Sequence, residues 1–200
     1  MIRRPGFLFA LLALVGAQVA QGQEINLIPE VAAFVEKGTK AIAVEKADLD
    51  GDRDEDLVLV LEKEKPQIVD DSPVKQRPLL ILRRTADGKL ELAKRNDLLV
   101  MCSQCGGVFG DPFESIEVGR NTFTVHHYGG SNWRWKVSYK FKYSRIDKTW
   151  QLVRVENTSY HKSDPDKVER DIHTPPKHFG KVDIADFDPE NYLKKSLKRN

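Results

Sequence analysis

The run Asp48-Leu49-Asp50-Gly51-Asp52-Arg53-Asp54-Glu55-Asp56-Leu57-Val58-Leu59-Val60-Leu61 decides how this chain is read. Aspartates stand at every second position from 48 to 56, and an unbroken apolar run follows. A short apolar run of that kind, bounded by loop residues, is a buried strand. Upstream, Ala41 to Ala47 alternates with a period of two, so the acidic stretch joins two strands. Five like charges in one loop repel one another unless a cation neutralises them. Hard carboxylate oxygens favour Ca2+ among the available cations. The competing interpretation is a solvated acidic loop with no metal.

The spacing excludes an EF-hand. Counted from Asp48, position six is Arg53 where Gly belongs, and position twelve is Leu59 where Glu belongs. Counted from Asp50, Glu55 takes the Gly position, and both flanks are strands rather than helices. A strand-loop-strand site fits instead. Asp48, Asp50, Asp52 and Asp56 supply carboxylates, Asp54 offers its backbone carbonyl, and Gly51 permits the bend that turns the first carboxylates inward. Ala47 to Val60 resembles the FG-GAP or VCBS repeat of integrin α-chain propellers and of many secreted bacterial proteins. Members of that family read Asp-Leu-Asp-Gly-Asp-Gly-Asp-x-Asp-Leu, and this chain departs by Arg53 in place of Gly. The resemblance covers one copy. It implies a calcium site at Asp48, Asp50, Asp52 and Asp56, and no activity. Propellers repeat the signature in every blade; no second Asp-x-Asp-Gly-Asp occurs, so a full propeller is not expected. Asp183-Ile184-Ala185-Asp186-Phe187-Asp188 is acidic but lacks the Gly, and is a weak metal candidate.

Working outward, Leu27, Val31, Phe34 and Val35 fall on one helical face, with Pro29 in the first turn and Gly38 as the stop, which predicts one short helix within 25–37. Pro66 to Pro78 holds three prolines and mixed charge and reads as an exposed loop. Leu79 to Arg83 and Lys89 to Ala93 pair across Thr85-Ala86-Asp87-Gly88, a hairpin signal. Ser115 to Val118 and Thr122 to Tyr128 flank Gly119-Arg120-Asn121, a second hairpin. Trp135 to Ser144 alternates, and Trp150 to Glu156 closes the run. The expected fold is mainly β. It is a compact antiparallel sheet or sandwich-like domain of about eight strands, with one propeller-type Asp-rich calcium hairpin, a short N-terminal helix and an irregular C-terminal tail. The expected boundaries are a signal peptide at 1–22, the β domain at 23–162 and the tail at 163–200.

The signal peptide is read from Arg3 and Arg4, the apolar run Phe7 to Val15, and small residues at Ala17, Ala20 and Gly22. Cleavage is expected after Gly22, with Ala17 as the competing site. The apolar run is too short to span a bilayer. Removing the two arginines takes the formal charge from +2 to zero, which argues against nucleic-acid binding. Export to the periplasm or beyond the cell also sets the reading of Cys102 and Cys105, the two cysteines of the chain. A local disulfide fixing a glycine-rich turn is expected. A thioredoxin-like redox pair would open a helix, but Gly106-Gly107 follows. A zinc site would need both His126 and His127, which a strand points to opposite faces.

In Tyr128-Gly129-Gly130-Ser131-Asn132-Trp133-Arg134-Trp135, turn chemistry is surrounded by aromatic residues and an arginine. Tyr128, Trp133, Arg134 and Trp135 are candidates for stacking against a sugar or a peptide. The alternative is that Trp133 and Trp135, on one face by alternation, cover one end of the core. The Cys-Gly-Gly and Gly-Gly-Ser-Asn-Trp-Arg-Trp runs together look like a group of exported bacterial proteins, a resemblance that carries no function. No Gly-x-Ser-x-Gly, His-Glu-x-x-His or phosphate loop is present. The expected function is that of an exported, monomeric, calcium-binding protein with a structural metal and a binding role toward a protein or glycan. The alternatives are a hydrolase acting on cell-wall or polysaccharide material, and a protein-directed inhibitor or immunity factor.

Overall fold

A computed structural model describes residues 25–65 and 77–192, with the backbone alone of 68–69 and 72–73. Residues 1–22, expected to be a signal peptide, and the basic end Lys194 to Asn200 lie outside the described residues. The strands in chain order are β1 (Thr39–Ala47), β2 (Asp56–Lys63), β3 (Ile68–Val69), β4 (Ser72–Pro73), β5 (Arg77–Arg84), β6 (Leu90–Val100), β7 (Phe113–Gly119), β8 (Thr122–Gly130), β9 (Trp133–Ser144), β10 (Thr149–His161) and β11 (Asp164–His173). One sheet has the order β1-β2-β5-β6 and a second the order β11-β10-β9-β8-β7, while β3 and β4 pair with each other as a two-stranded sheet. Every pairing is antiparallel.

The two sheets pack face to face as a sandwich. Val58, Val60, Leu79 and Ile81 of the first sheet meet Phe123, Val125, Tyr139, Phe141 and Leu152 of the second in one buried cluster. Leu57, Leu59, Leu61, Leu80 and Leu82 point the other way and are buried under Val31, Leu27, Phe34 and Val35 of the N-terminal segment. Both central strands of the first sheet are therefore covered on two faces, which is why they read as continuous apolar runs. The helix that covers them, α1 (Pro29–Ala32), is shorter than the expected span, with Pro29 in its first turn as anticipated and residues 33–35 continuing as turns.

The seam between the sheets is closed on one side by the approach of β1 to β7. On the other side, chain that follows β11 fills it. Phe179, Ile184 and Phe187 are buried in the inter-sheet cluster. Asn96 of β6, itself buried, donates to Ile184 O (2.5 Å) and Phe187 O (2.8 Å), while its Oδ1 accepts from the amides of Leu98 and Leu99. All of its hydrogen-bonding capacity on that side is used to clamp this segment.

Two expectations need correction. The β domain does not stop at 162, since Asp164–His173 forms β11 at the edge of the second sheet; irregular chain begins only after it. Nor is the whole of 66–78 an exposed loop, since Arg77 and Pro78 lie buried at the start of β5. Pro78 is tolerated there because the register against β6 shifts between Arg77 and Leu79, where a missing N–H costs no ladder bond. No helix among the described residues is long and apolar enough to cross a membrane.

Candidate metal centre

The acidic loop leaves β1 at Ala47 and enters β2 at Asp56, which are register partners. Within it, aspartates organise their own backbone. Asp48 Oδ1 accepts from the Gly51 amide (2.6 Å), Asp50 Oδ1 from Asp52 (3.0 Å) and Asp52 Oδ1 from Asp54 (2.9 Å). These successive turns curl the chain so that Asp48, Asp50, Asp52 and Asp56 each place a carboxylate oxygen within 4.8 Å of the others. Opposed oxygens of a calcium shell lie roughly 4.6–5.2 Å apart, twice the 2.3–2.6 Å ligand distance. The four carboxylates could thus hold one metal ion between them, and their span is that of a calcium shell. The side chain of Asp54 is not among the four; only a backbone role is open to it.

Gly51 and Arg53 both adopt left-handed conformations, with φ of +86° and +84°. A side chain at Gly51 would also run into Asn121 Oδ1. Arg53 stands where the resembled repeat has Gly and takes the conformation Gly would supply, at a cost of about 1–2 kcal/mol.

The loop is held from below and from the side. Leu49 is fully buried in the inter-sheet core. The Trp150 indole, 2 % exposed, donates to Leu49 O at 2.8 Å. The Asn121 amide, in the β7–β8 turn, donates to Asp48 O at 2.9 Å. Asp56 is fully buried; its two oxygens accept from the amides of Leu49 and Arg84, each at 2.9 Å. The loop of the first sheet is in this way fastened to a turn and a strand of the second. Burial pushes Asp56 up to about 6, and also raises Asp50, against hydrogen bonds that pull the other way. Cationic side chains stand at the rim: Arg83 lies 4.0 Å from Asp50 and Arg120 3.5 Å from Asp48.

The remaining candidates fall into place separately. Cys102 and Cys105 are joined as a disulfide. His127 is fully buried, with Nε2 accepting from the Met101 amide at 3.2 Å, while His126 lies on the opposite face 3.5 Å from Glu117, so the two do not converge on the cysteines. Asp183 caps the turn Ile184–Asp186 and pairs with Lys94 and Thr149, which accounts for its carboxylate without a metal. The glycine runs turn out to be two halves of one contact. The Gly130 amide donates to Gly106 O (2.9 Å), and Gly107 bridges Gly130. A methyl group at Gly129 would lie 2.5 Å from the Trp135 indole and 2.8 Å from Gly106 O. The disulfide loop therefore backs directly onto the aromatic hairpin.

Tyr128, Trp133, Arg134 and Trp135 do not form one cluster. Register places Tyr128 opposite Lys136 and Gly130 opposite Arg134, on the outer face. There Arg134 lies 4.1 Å over the Phe109 ring, which also packs on Tyr128. Trp133 and Trp135 project to the inner face. Trp133 remains 55 % exposed, with its indole edge-on to His161, whereas Trp135 packs against the rim of the core. Neither is enclosed, because β9 and β10 extend past the end of the first sheet.

Asn121, Trp150 and the Arg84 amide support the acidic loop but carry no signal in the sequence around it. The sequence also gives no signal for the buried Arg77, at the opposite end of β5 from this loop, which pairs with Glu62 and bidentately with Asp111 (2.7 and 2.6 Å). No family model matches the sequence, and no curated protein or solved structure matches it either.

Proposed function

We propose that this is an exported calcium-binding protein whose cation is structural and whose role is binding rather than catalysis. The observation that carries the calcium reading is the convergence of four carboxylate oxygens within 4.8 Å at the mouth of a hairpin pinned to both sheets. The hairpin's likeness to a VCBS-type loop supports it. Asp48, Asp50, Asp52 and Asp56 would hold the ion, and Asp54 would add its carbonyl. The ion would neutralise two buried carboxylates and lock the contact between β1–β2 and the second sheet. A disulfide and the basic-then-apolar N-terminal sequence support export to the periplasm or outside the cell. The binding role rests on the open inner face beside Trp135.

Thermal melts in calcium and in chelator test the metal. A ligand at 100 times its Kd stabilises by about 2.7 kcal/mol, which for a domain of this size is a rise of about 5–10 °C. Asp50→Ala should abolish the rise by removing a central ligand. Magnesium should substitute poorly, since it demands tighter octahedral geometry. Identical melts with and without calcium would reject the site.

A further inference from the structure

Where β9, β10 and β11 run past the first sheet, they leave a cleft of about 400 Å3 on the inner face. This is within the range of ligand pockets, about 300–1,000 Å3. Trp135 and Val137 form its floor and Met101 one wall. Its other wall comes from β10 and β11. Register puts Asn157 opposite Asp171 and Ser159 opposite Glu169, so these four side chains face the cleft together. Neither Asn157 nor Ser159 makes a side-chain hydrogen bond to a described residue.

The charge of this cleft is one-sided. Among the described residues, Glu169 forms no ion pair and Asp171 pairs with His173 Nε2 alone, at 2.8 Å. Lys136 and Arg170 also border the cleft, but alternation carries their cationic ends to the outer face. There Lys136 pairs with Glu114 (2.9 Å) and Arg170 with Glu156 (2.5 Å). What faces inward is an indole, the buried Tyr139 ring, two apolar side chains (Val137 and Met101), two neutral polar groups and two carboxylates. The indole is held in place from behind, because Gly129 leaves room for its ring and the disulfide loop closes over Gly129.

We propose that this cleft binds the basic side chain of a peptide, an arginine or lysine flanked by apolar residues. The apolar stem and the cationic head would lie along Trp135, whose ring face attracts a cation. Glu169 and Asp171 would neutralise the head, and Asn157 and Ser159 would bond the peptide backbone. A peptide fits better than a small amine because the cleft is open along the exposed edge strand β11, so the rest of the chain can remain outside. The inference rests on the binding role proposed above and not on the calcium site.

The probe is acetyl-Leu-Arg-Leu-amide, titrated into the calcium-loaded full chain while tryptophan emission and heat are followed. Acetyl-Leu-Gln-Leu-amide is the neutral control. The arginine peptide should bind at least tenfold more tightly than the neutral one, and the preference should shrink with added salt. Glu169→Gln with Asp171→Asn should erase the preference. Both residues are exposed, so this variant should keep the parent melting temperature. Trp135→Ala should weaken both peptides, with circular dichroism checking that it is folded. Equal binding of the two peptides, no binding of the arginine peptide at millimolar concentration, or binding of a neutral oligosaccharide in its place would overturn the proposal. A calcium-dependent melt that persists alongside such a result would show that the cleft assignment, and not the metal site, has failed.

Discussion

Trp150→Phe tests whether the acidic loop is held by the second sheet. The indole N–H donates to Leu49 O at 2.8 Å, and both groups are shielded from water. Phenylalanine keeps an aromatic ring but has no donor, so the Leu49 carbonyl is left buried and unpaired, at a cost of about 1–3 kcal/mol. The lost ring also leaves space beside Tyr143, whose ring centroid lies 4.9 Å from that of Trp150. Part of the penalty for truncating a large buried aromatic is thus added, for a total of about 2–4 kcal/mol. Leu49 lies between Asp48 and Asp50, so a looser carbonyl also loosens two of the proposed calcium ligands. Urea unfolding in chelator reads the first effect and a calorimetric calcium titration the second. Both should fall together, with calcium affinity reduced about tenfold or more, equivalent to about 1.4 kcal/mol. A variant with parent stability and parent calcium affinity would refute the idea that Trp150 fastens the loop.

Gly51→Ala should cost at least about 1–2 kcal/mol, from the left-handed backbone alone, and weaken calcium further through collision with Asn121; parent-like melts and titration would contradict the turn geometry. His127 is held down at about 4 from its ordinary 6.5 by burial, so between those values the unfolded chain takes up a proton that the folded chain refuses. Stability should therefore rise with pH across 4 to 6.5, by about 3 kcal/mol for 2.5 units. Asp56, raised to about 6, acts in the opposite direction between about 4 and 6 while no metal is bound, because there the folded state holds the extra proton. Urea melts from pH 4 to 7 should give a flattened profile in chelator and a climbing one in calcium, and His127→Gln should remove most of the climb. Changing both Cys102 and Cys105 to Ser should cost about 2 kcal/mol, the loop-closure term for a four-residue span, and thiol titration of the denatured, unreduced parent should find no free thiol.

The parts of the fold that were legible in the sequence are those whose pattern is local. Alternating aspartates, Gly51 and the following Val-Leu run placed the loop and both its strands, and Asp87-Gly88 and Gly119-Arg120-Asn121 placed two hairpins. What supports the loop was not legible, because Trp150 is about a hundred residues away and contacts Leu49 only once two sheets have packed. Strand β11 was hidden for a different reason. An edge strand exposed on both sides has no apolar face, so Asp164–His173 has the composition of irregular chain. Phe179, Ile184 and Phe187 enter the core from a segment without periodicity, and no repeat announces them. The alternation of Trp133 and Trp135 was correctly a one-face pattern. Whether that face is covered depends on where the first sheet ends, which no local pattern records.

The most direct test of the calcium reading is diffraction from crystals grown in calcium, with anomalous data collected to identify the ion. One calcium peak is predicted among Asp48, Asp50, Asp52 and Asp56, with ligand oxygens at about 2.3–2.6 Å and the Asp54 carbonyl turned toward it. The same loop with its four carboxylates in place and no calcium peak between them, at calcium concentrations well above physiological, would contradict the account.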